Sequence, residues 1–271
     1  MIIALWAVAP LCAWAQSQFK YSRLEREDIA RRLRHLPDKD EGDAGRRATL
    51  QRLFERAGCK GDDLTSQPVE GSDLANLICT LPATSDDLIL VGAHFDAHPA
   101  GNGVIDNWTG AVLLPSLYQS LYAQPRNHTF VFIAFAAGAS GHLGAKAYAR
   151  SLSKEQAHRV RAFVCLESLG MTRTLAVNAG DGRYLLSLLK GAASAIMLPV
   201  DPLKPKQLGK TDAGAFANRK IPSLVIHSVS PYNFETRRGP GDSLEAVKPN
   251  EYFESYMLTA AFLAFADLKL K

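Results

Sequence analysis

The sequence predicts an α/β fold in which a mostly parallel sheet is covered by helices on both faces. Three observations point there. Candidate strands such as Leu88-Ile89-Leu90-Val91 and the run Ala162-Phe163-Val164-Cys165-Leu166 are continuously apolar rather than alternating, as strands buried on both faces are. These runs alternate along the chain with longer segments of helical character, the order that builds parallel crossovers. The 271 residues are 47% hydrophobic and 21% charged with no shift in composition along the chain, enough for one large core and a single domain over 16–271.

Taken in order, helices are expected over 22–36 and 46–58, split by the turn-prone stretch "PDKDEGDAG". Their charges are mixed: Arg31, Arg32, Arg34, Arg46 and Arg47 stand among Glu25, Glu27 and Asp28. That pattern and a net charge of only +4 describe solvated faces and exclude a nucleic-acid stripe. Strands follow at 76–82 and 86–95, then a helix over 110–124, a strand over 128–137 and a helix over 140–153. A strand is expected at 160–168 and another at 173–179, a helix at 182–196, a strand at 221–228, and a long final helix over 250–268. In sheets of this kind ligands lie beyond the carboxyl ends of the strands. That rule gathers His94, the residues around 138, Glu167 and the stretch after Ser228 along one edge.

The first fifteen residues, "MIIALWAVAPLCAWA", are apolar and end in Ala13-Trp14-Ala15, a small-x-small cleavage pattern before Gln16. They are too short to span a bilayer. They read as a signal peptide over 1–15 that lacks the usual basic residue behind Met1, and the protein is expected to be exported, periplasmic or extracellular. Cys12 follows Pro10-Leu11 and does not suit a lipid anchor. An oxidising compartment permits one bridge, for which Cys59 and Cys79 are the reasonable pair, and Cys165 in its apolar run reads as an inert buried thiol.

The stretch "GAHFDAHPAGNGVIDNWTG", residues 92–110, concentrates polar chemistry between two buried elements. His94 and Asp96 form H-x-D just past a strand, where a carboxylate can hold the second ring nitrogen of a metal-bound imidazole. Asp106-Asn107 follows, with Thr109-Gly110 at the start of the next helix. Each piece alone suits a satisfied loop histidine or an Asx turn. Together they read as a metal cradle. Phe95 and Trp108 suit either a cleft wall or the core.

This stretch resembles the signature of the zinc-dependent exopeptidases typified by bacterial leucine aminopeptidase, with glutamate carboxypeptidase and glutaminyl cyclase as relatives. Further landmarks keep the order and spacing of that family: "NLICTLP", "FIAFAAGASGHLGAKAY", "VCLESLG", "KTDAGAFANRKIPSLV" and "RGPGDSLEAV". The resemblance implies a three-layer fold with a mixed, mostly parallel sheet, hydrolysis of N-terminal peptide bonds as the ancestral activity, and a peptide or amino-acid-like ligand. It also implies that His94 is a metal ligand, that Asp106 bridges two ions, and that Thr211-Asp212 and Asp242 support the site structurally.

The departures from that pattern are concentrated in the chemistry. Gly138 stands where the family has its general base, and Ala139 where it has a metal-binding glutamate. Arg238 takes the place of the last metal histidine, and Glu167 replaces an aspartate. The resemblance therefore implies at most one zinc, held by His94, Asp106 and Glu167 with Asp96 behind the imidazole. A general base is worth about 10²–10⁴ in rate, and a two-metal clamp adds to that. His98, His142, His227 and Glu235 are the candidates for a substitute role, each also explicable as a loop, cap or core residue, with His227 expected to bond a neighbouring backbone group. A guanidinium at 238 can pair with Asp106 and put its own charge where an ion is missing. Two functions follow: a hydrolase with a weakened or rearranged site, or a non-catalytic descendant that binds a peptide or partner in the same cleft.

Overall fold

A computed structural model describes residues 19–202 and 209–271; the expected signal peptide lies outside the described residues. The strands are β1 (Leu64–Gln67), β2 (Asn76–Leu81), β3 (Leu88–His94), β4 (Thr129–Phe135), β5 (Val160–Glu167), β6 (Leu175–Ala179), β7 (Asp201–Pro202) and β8 (Ser223–His227). They form one sheet in the order β1-β2-β4-β3-β5-β8-β6-β7. The centre, β4-β3-β5-β8, is parallel; β1 and β2 join antiparallel on one side, and β6 on the other.

The helices are α1 (Arg26–Leu33), α2 (Gly42–Ala57), α3 (Thr109–Ala111), α4 (Leu114–Tyr122), α5 (Leu143–Ser151), α6 (Lys154–Arg159), α7 (Arg183–Ala195), α8 (Ala213–Ala217) and α9 (Pro249–Lys269). The apolar strand runs divide by the period of two that a pleated strand imposes. Ile89, Val91 and Ala93 of β3 and Ala162, Val164 and Leu166 of β5 join one core with α1, α2, α4, α7 and α9. Leu90, Phe163 and Cys165 point the other way, into a second core with α5 and α8. There Phe216 stacks on Phe163 with ring centroids 3.8 Å apart. Both faces being covered is why these strands carry no polar alternation.

Most of the expected elements are present. β1, β7, α6 and α8 were not expected. The 110–124 helix is broken into α3 and α4, with Pro115 in the first turn of α4, where its missing N–H costs nothing. The helix expected from 140 starts at Leu143, and His142 before it has a left-handed backbone, φ 61°. A disulfide joins Cys59, just past α2, to Cys79 in β2, and Cys165 is a buried free thiol. No helix among the described residues is long and apolar enough to cross a membrane.

Candidate functional site

His94 is the last residue of β3 and Glu167 the last of β5, so two paired strands deliver them to the same edge of the sheet. Asp106 comes from the turn Val104–Trp108, and the Asp106–Asn107 peptide is cis. Three ties hold that turn against the strand end. Asn107 donates from Nδ2 to Leu166 O at 2.8 Å and accepts the Ser168 N–H at 2.9 Å. Asp242 accepts the N–H groups of Gly103 and Ile105, each at 2.6 Å. Arg46, buried beneath the loop, donates to Gly103 O at 2.7 Å. Gly110 permits the close approach: a Cβ there would lie 2.6 Å from Asn107 Oδ1 and 2.8 Å from Leu166 O. Asp242 thus has the structural part expected of it. Phe95 and Trp108 are fully buried and belong to the core.

The three sequence-predicted ligands meet. His94 Nε2 lies 3.1 Å from Asp106 Oδ1 and 3.8 Å from a Glu167 oxygen, all with almost no exposure. The other oxygen of Asp106 faces two arginines. Arg238 Nε donates to Oδ2 at 2.6 Å. Arg237 Nη1 lies 3.6 Å from Asp106 Oδ2 and 3.6 Å from Glu167 Oε1, and its guanidinium sits 4.1 Å over the Phe234 ring. Arg237 is the residue that sequence reasoning missed. Unlike Arg238, which is half exposed, it is buried between the two acids.

Asp96 differs from expectation. Its Oδ1 is 3.6 Å from His94 Nδ1, outside hydrogen-bond reach, and His94 Nδ1 has no partner among the described residues. The carboxylate is instead drawn to the backbone, accepting the N–H groups of Gly138 at 2.6 Å and Ala139 at 2.8 Å. It anchors the turn after β4 and acts on His94 through its charge. Gly138 is packed against the imidazole: a Cβ at 138 would stand 2.3 Å from His94 Cγ. No side chain fits there while His94 keeps its place.

The remaining candidates separate cleanly. His142 Nδ1 bonds Asp212 Oδ1 at 2.9 Å, and its ring centroid is 6.4 Å from that of His94. His227 ends β8, where its Nδ1 accepts the Val229 N–H at 3.3 Å. His98 and Arg238 line the neighbouring cleft, and Glu235 is an exposed residue of a short helical turn.

The charges set the site's electrostatics. Burial disfavours an imidazolium at His94, but the carboxylates of Asp106, Asp96 and Glu167 outweigh it and raise its pKa well above the usual histidine value. Burial pushes Asp106 up, yet His94, Arg237 and Arg238 together hold it far below the ordinary carboxylate range. Glu167 is raised, by burial first and then by the charges of Asp106 and Asp212. His142 is raised because Asp212 outweighs its desolvation. His227, desolvated and facing Arg237, is lowered to about 3.

One divalent ion fits this donor set. A tetrahedral zinc with bonds of about 2.0–2.1 Å places its ligand atoms about 3.3 Å apart. The His94, Asp106 and Glu167 donors all lie within 4.8 Å of one another, and Glu167 Oε2 is buried without a partner among the described residues. A second ion beside Asp106 has fewer donors to draw on. Ala139 offers no donor atom, and the Asp106 oxygen it would share is bonded to Arg238.

The sequence profile of peptidase family M28 matches residues 76–262. Leucine aminopeptidase 2 of Trichophyton rubrum is 26% identical over 148 residues, 51% of this chain and 30% of that protein. The chain thus spans about a third of the length of the curated relatives it matches. The zinc aminopeptidase BSAP of Bacillus subtilis is similar in structure, with a TM-score of 0.64 at 24% identity over 73% of this chain and 50% of the other. A glutaminyl cyclase from an Acidobacteriales bacterium gives a TM-score of 0.71 at 17% identity over 93% and 97% of the two chains. At these identities the structural likeness speaks to the fold. It agrees with the mixed, mostly parallel three-layer arrangement.

Proposed function

Because the chain belongs to peptidase family M28, we propose that it is an exported, non-catalytic descendant of an aminopeptidase that keeps the family's cleft to bind a peptide-like ligand. The observation that carries this reading is the pair of guanidiniums on Asp106: the oxygen that a second ion would share is bonded to Arg238 and faced by Arg237. Two further features support it. Gly138 leaves no room for a general base beside His94, a loss of about 10²–10⁴ in rate. The cleft next to the site is lined by His98, His142, Lys146, Lys210, Arg237 and Arg238 and, among the described residues, by no acid. The α-ammonium of an aminopeptidase substrate finds only like charge there. The Cys59–Cys79 bridge suits the oxidising compartments of an exported protein.

At most one zinc belongs to this reading, with His94, Asp106 and Glu167 as its ligands and Asp96 acting on His94 by charge. Bound zinc supplies Lewis acidity. The turn at 138–139 packs against the His94 ring, and the His142–Asp212 pair stands beside it, with the two imidazole centroids 6.4 Å apart. That pair favours a second reading, a weak hydrolase in which His142 stands in for the absent base.

One assay separates the two. The mature protein with zinc is offered aminoacyl p-nitroanilides and N-terminal glutaminyl peptides beside a His94→Ala control. The binding-protein reading expects no rate above the control. A zinc-dependent rate abolished by His142→Gln would establish the second reading instead.

A further inference from the structure

We propose that the cleft beside the acid–arginine cluster is a carboxylate-binding site whose ligand carries an apolar group next to the acid. The inference deepens the binding-protein reading and rests on the cleft being a site of binding. The cleft has a volume of about 1080 Å³. Arg237 and Arg238 form its inner wall, His142 and Lys146 come from the start of α5, and Lys210 from the segment before α8. Asp106 and Glu167, the acids that balance the arginines, are buried behind that wall, so no carboxylate among the described residues faces the space.

The arginines are not used up by their partners. Arg238 engages Asp106 through Nε alone, and its terminal nitrogens have no partner among the described residues, on a side chain 41% exposed. Arg237 is 3% exposed, and its Nε is buried without a hydrogen-bond partner among the described residues. A guanidinium edge is planar and matches two carboxylate oxygens at once. Lys146 and Lys210, both exposed at the rim, add long-range attraction that a concave wall focuses. Phe234, Val177 and Val225 supply apolar surface within the same cleft. A compact acid with an apolar neighbour satisfies both halves, as does the C-terminal residue of a peptide or a short branched-chain organic acid.

The experiment is isothermal titration of the full mature chain with three probes: N-acetyl-alanyl-leucine as the free acid, the same dipeptide as its C-terminal amide, and isovalerate. The protein is stripped of metal over a chelating resin, so that neither zinc nor a soluble polyanionic chelator competes. Charge-assisted hydrogen bonds make the free acid bind at least about tenfold tighter than the amide. That preference weakens as salt is raised. Lys146→Glu, a charge reversal on an exposed helix position, lowers the affinity for the acid by about fivefold or more while leaving the melting temperature near that of the parent. A dipeptide acid tighter than isovalerate identifies a peptide terminus; equal affinities identify a free organic acid. Equal binding of acid and amide, or no binding of the acid at millimolar concentration, overturns the proposal. The acetylated probes present no free N-terminus, so this result is independent of turnover. Hydrolysis in the earlier assay would sink the binding-protein reading and leave this one standing.

Discussion

Replacing Arg237 by methionine tests the balance of charge at the site. The guanidinium nitrogen stands 3.6 Å from oxygens of both Asp106 and Glu167. With an effective dielectric constant of about 20, each contact is worth roughly 4–5 kcal/mol before desolvation. Burying the guanidinium consumes much of that, and removing one partner from a buried ion pair costs about 3–5 kcal/mol in sum. For a chain of this size that lowers the melting temperature by on the order of 10 °C. The deficit depends on pH in a defined direction. Glu167 already has a raised pKa, and loss of the arginine raises it further. A carboxyl whose folded pKa exceeds its unfolded one lends stability below the unfolded value, and that stability is lost as pH rises through the folded value. The variant is therefore weakest at neutral and alkaline pH and recovers as acid protonates Glu167. Zinc restores the missing charge, so it raises the variant's melting temperature more than the parent's. Calorimetry across pH 4–8, with and without zinc, reads all three effects. An Arg237→Met protein as stable as the parent at pH 7, or one shifted equally by zinc, would refute the reasoning.

Other expectations concern the supports of the site. Asp242→Asn substitutes an amide for a carboxylate that accepts two backbone N–H groups, and urea denaturation is expected to show a loss of about 1–3 kcal/mol. Opening the Cys59–Cys79 bridge, which spans 20 residues, is expected to cost about 3 kcal/mol, and an unchanged denaturation midpoint would contradict that. His227 is expected to titrate at about 3 by NMR rather than near its ordinary 6.5. Because its folded value is depressed, the unfolded chain takes the proton first, and stability falls as pH drops from 6.5 towards 3. His227→Leu is thus expected to lose less stability than the parent across that window.

The parts of the fold that sequence exposes are those with strong patterns. β3 and β5 declare themselves because both of their faces are covered, and α9 because it is long and apolar. β1, in which no residue of Leu64–Gln67 is buried, and the two-residue β7 carry no such pattern. In the site, strand ends place His94 and Glu167 at one edge of the sheet, while the ligand roles of Asp106 and Glu167 were legible only through the resemblance to the exopeptidase signature. Asp96 was misread in detail: two positions from His94 suggests a hydrogen bond, but the amides at 138–139, distant in sequence, claim its oxygens. His142 falls in the span expected as helix, but α5 begins at Leu143 and leaves it at the cap position, one of the roles open to it. Arg237 was invisible for a related reason. The doublet Arg237-Arg238 looks like a solvated loop, and only Phe234 three residues earlier hints that one guanidinium has an aromatic partner. Pairing with acids 70 and 131 positions away is a property of the folded chain alone.

The most direct measurement is the number and position of zinc ions in crystals soaked with excess zinc, read from anomalous scattering. If guanidiniums occupy the second cation position, at most one peak is expected, between His94, Asp106 and Glu167, with Arg238 still on Asp106 Oδ2. A second peak beside that oxygen, with the arginines swung aside, would contradict the account.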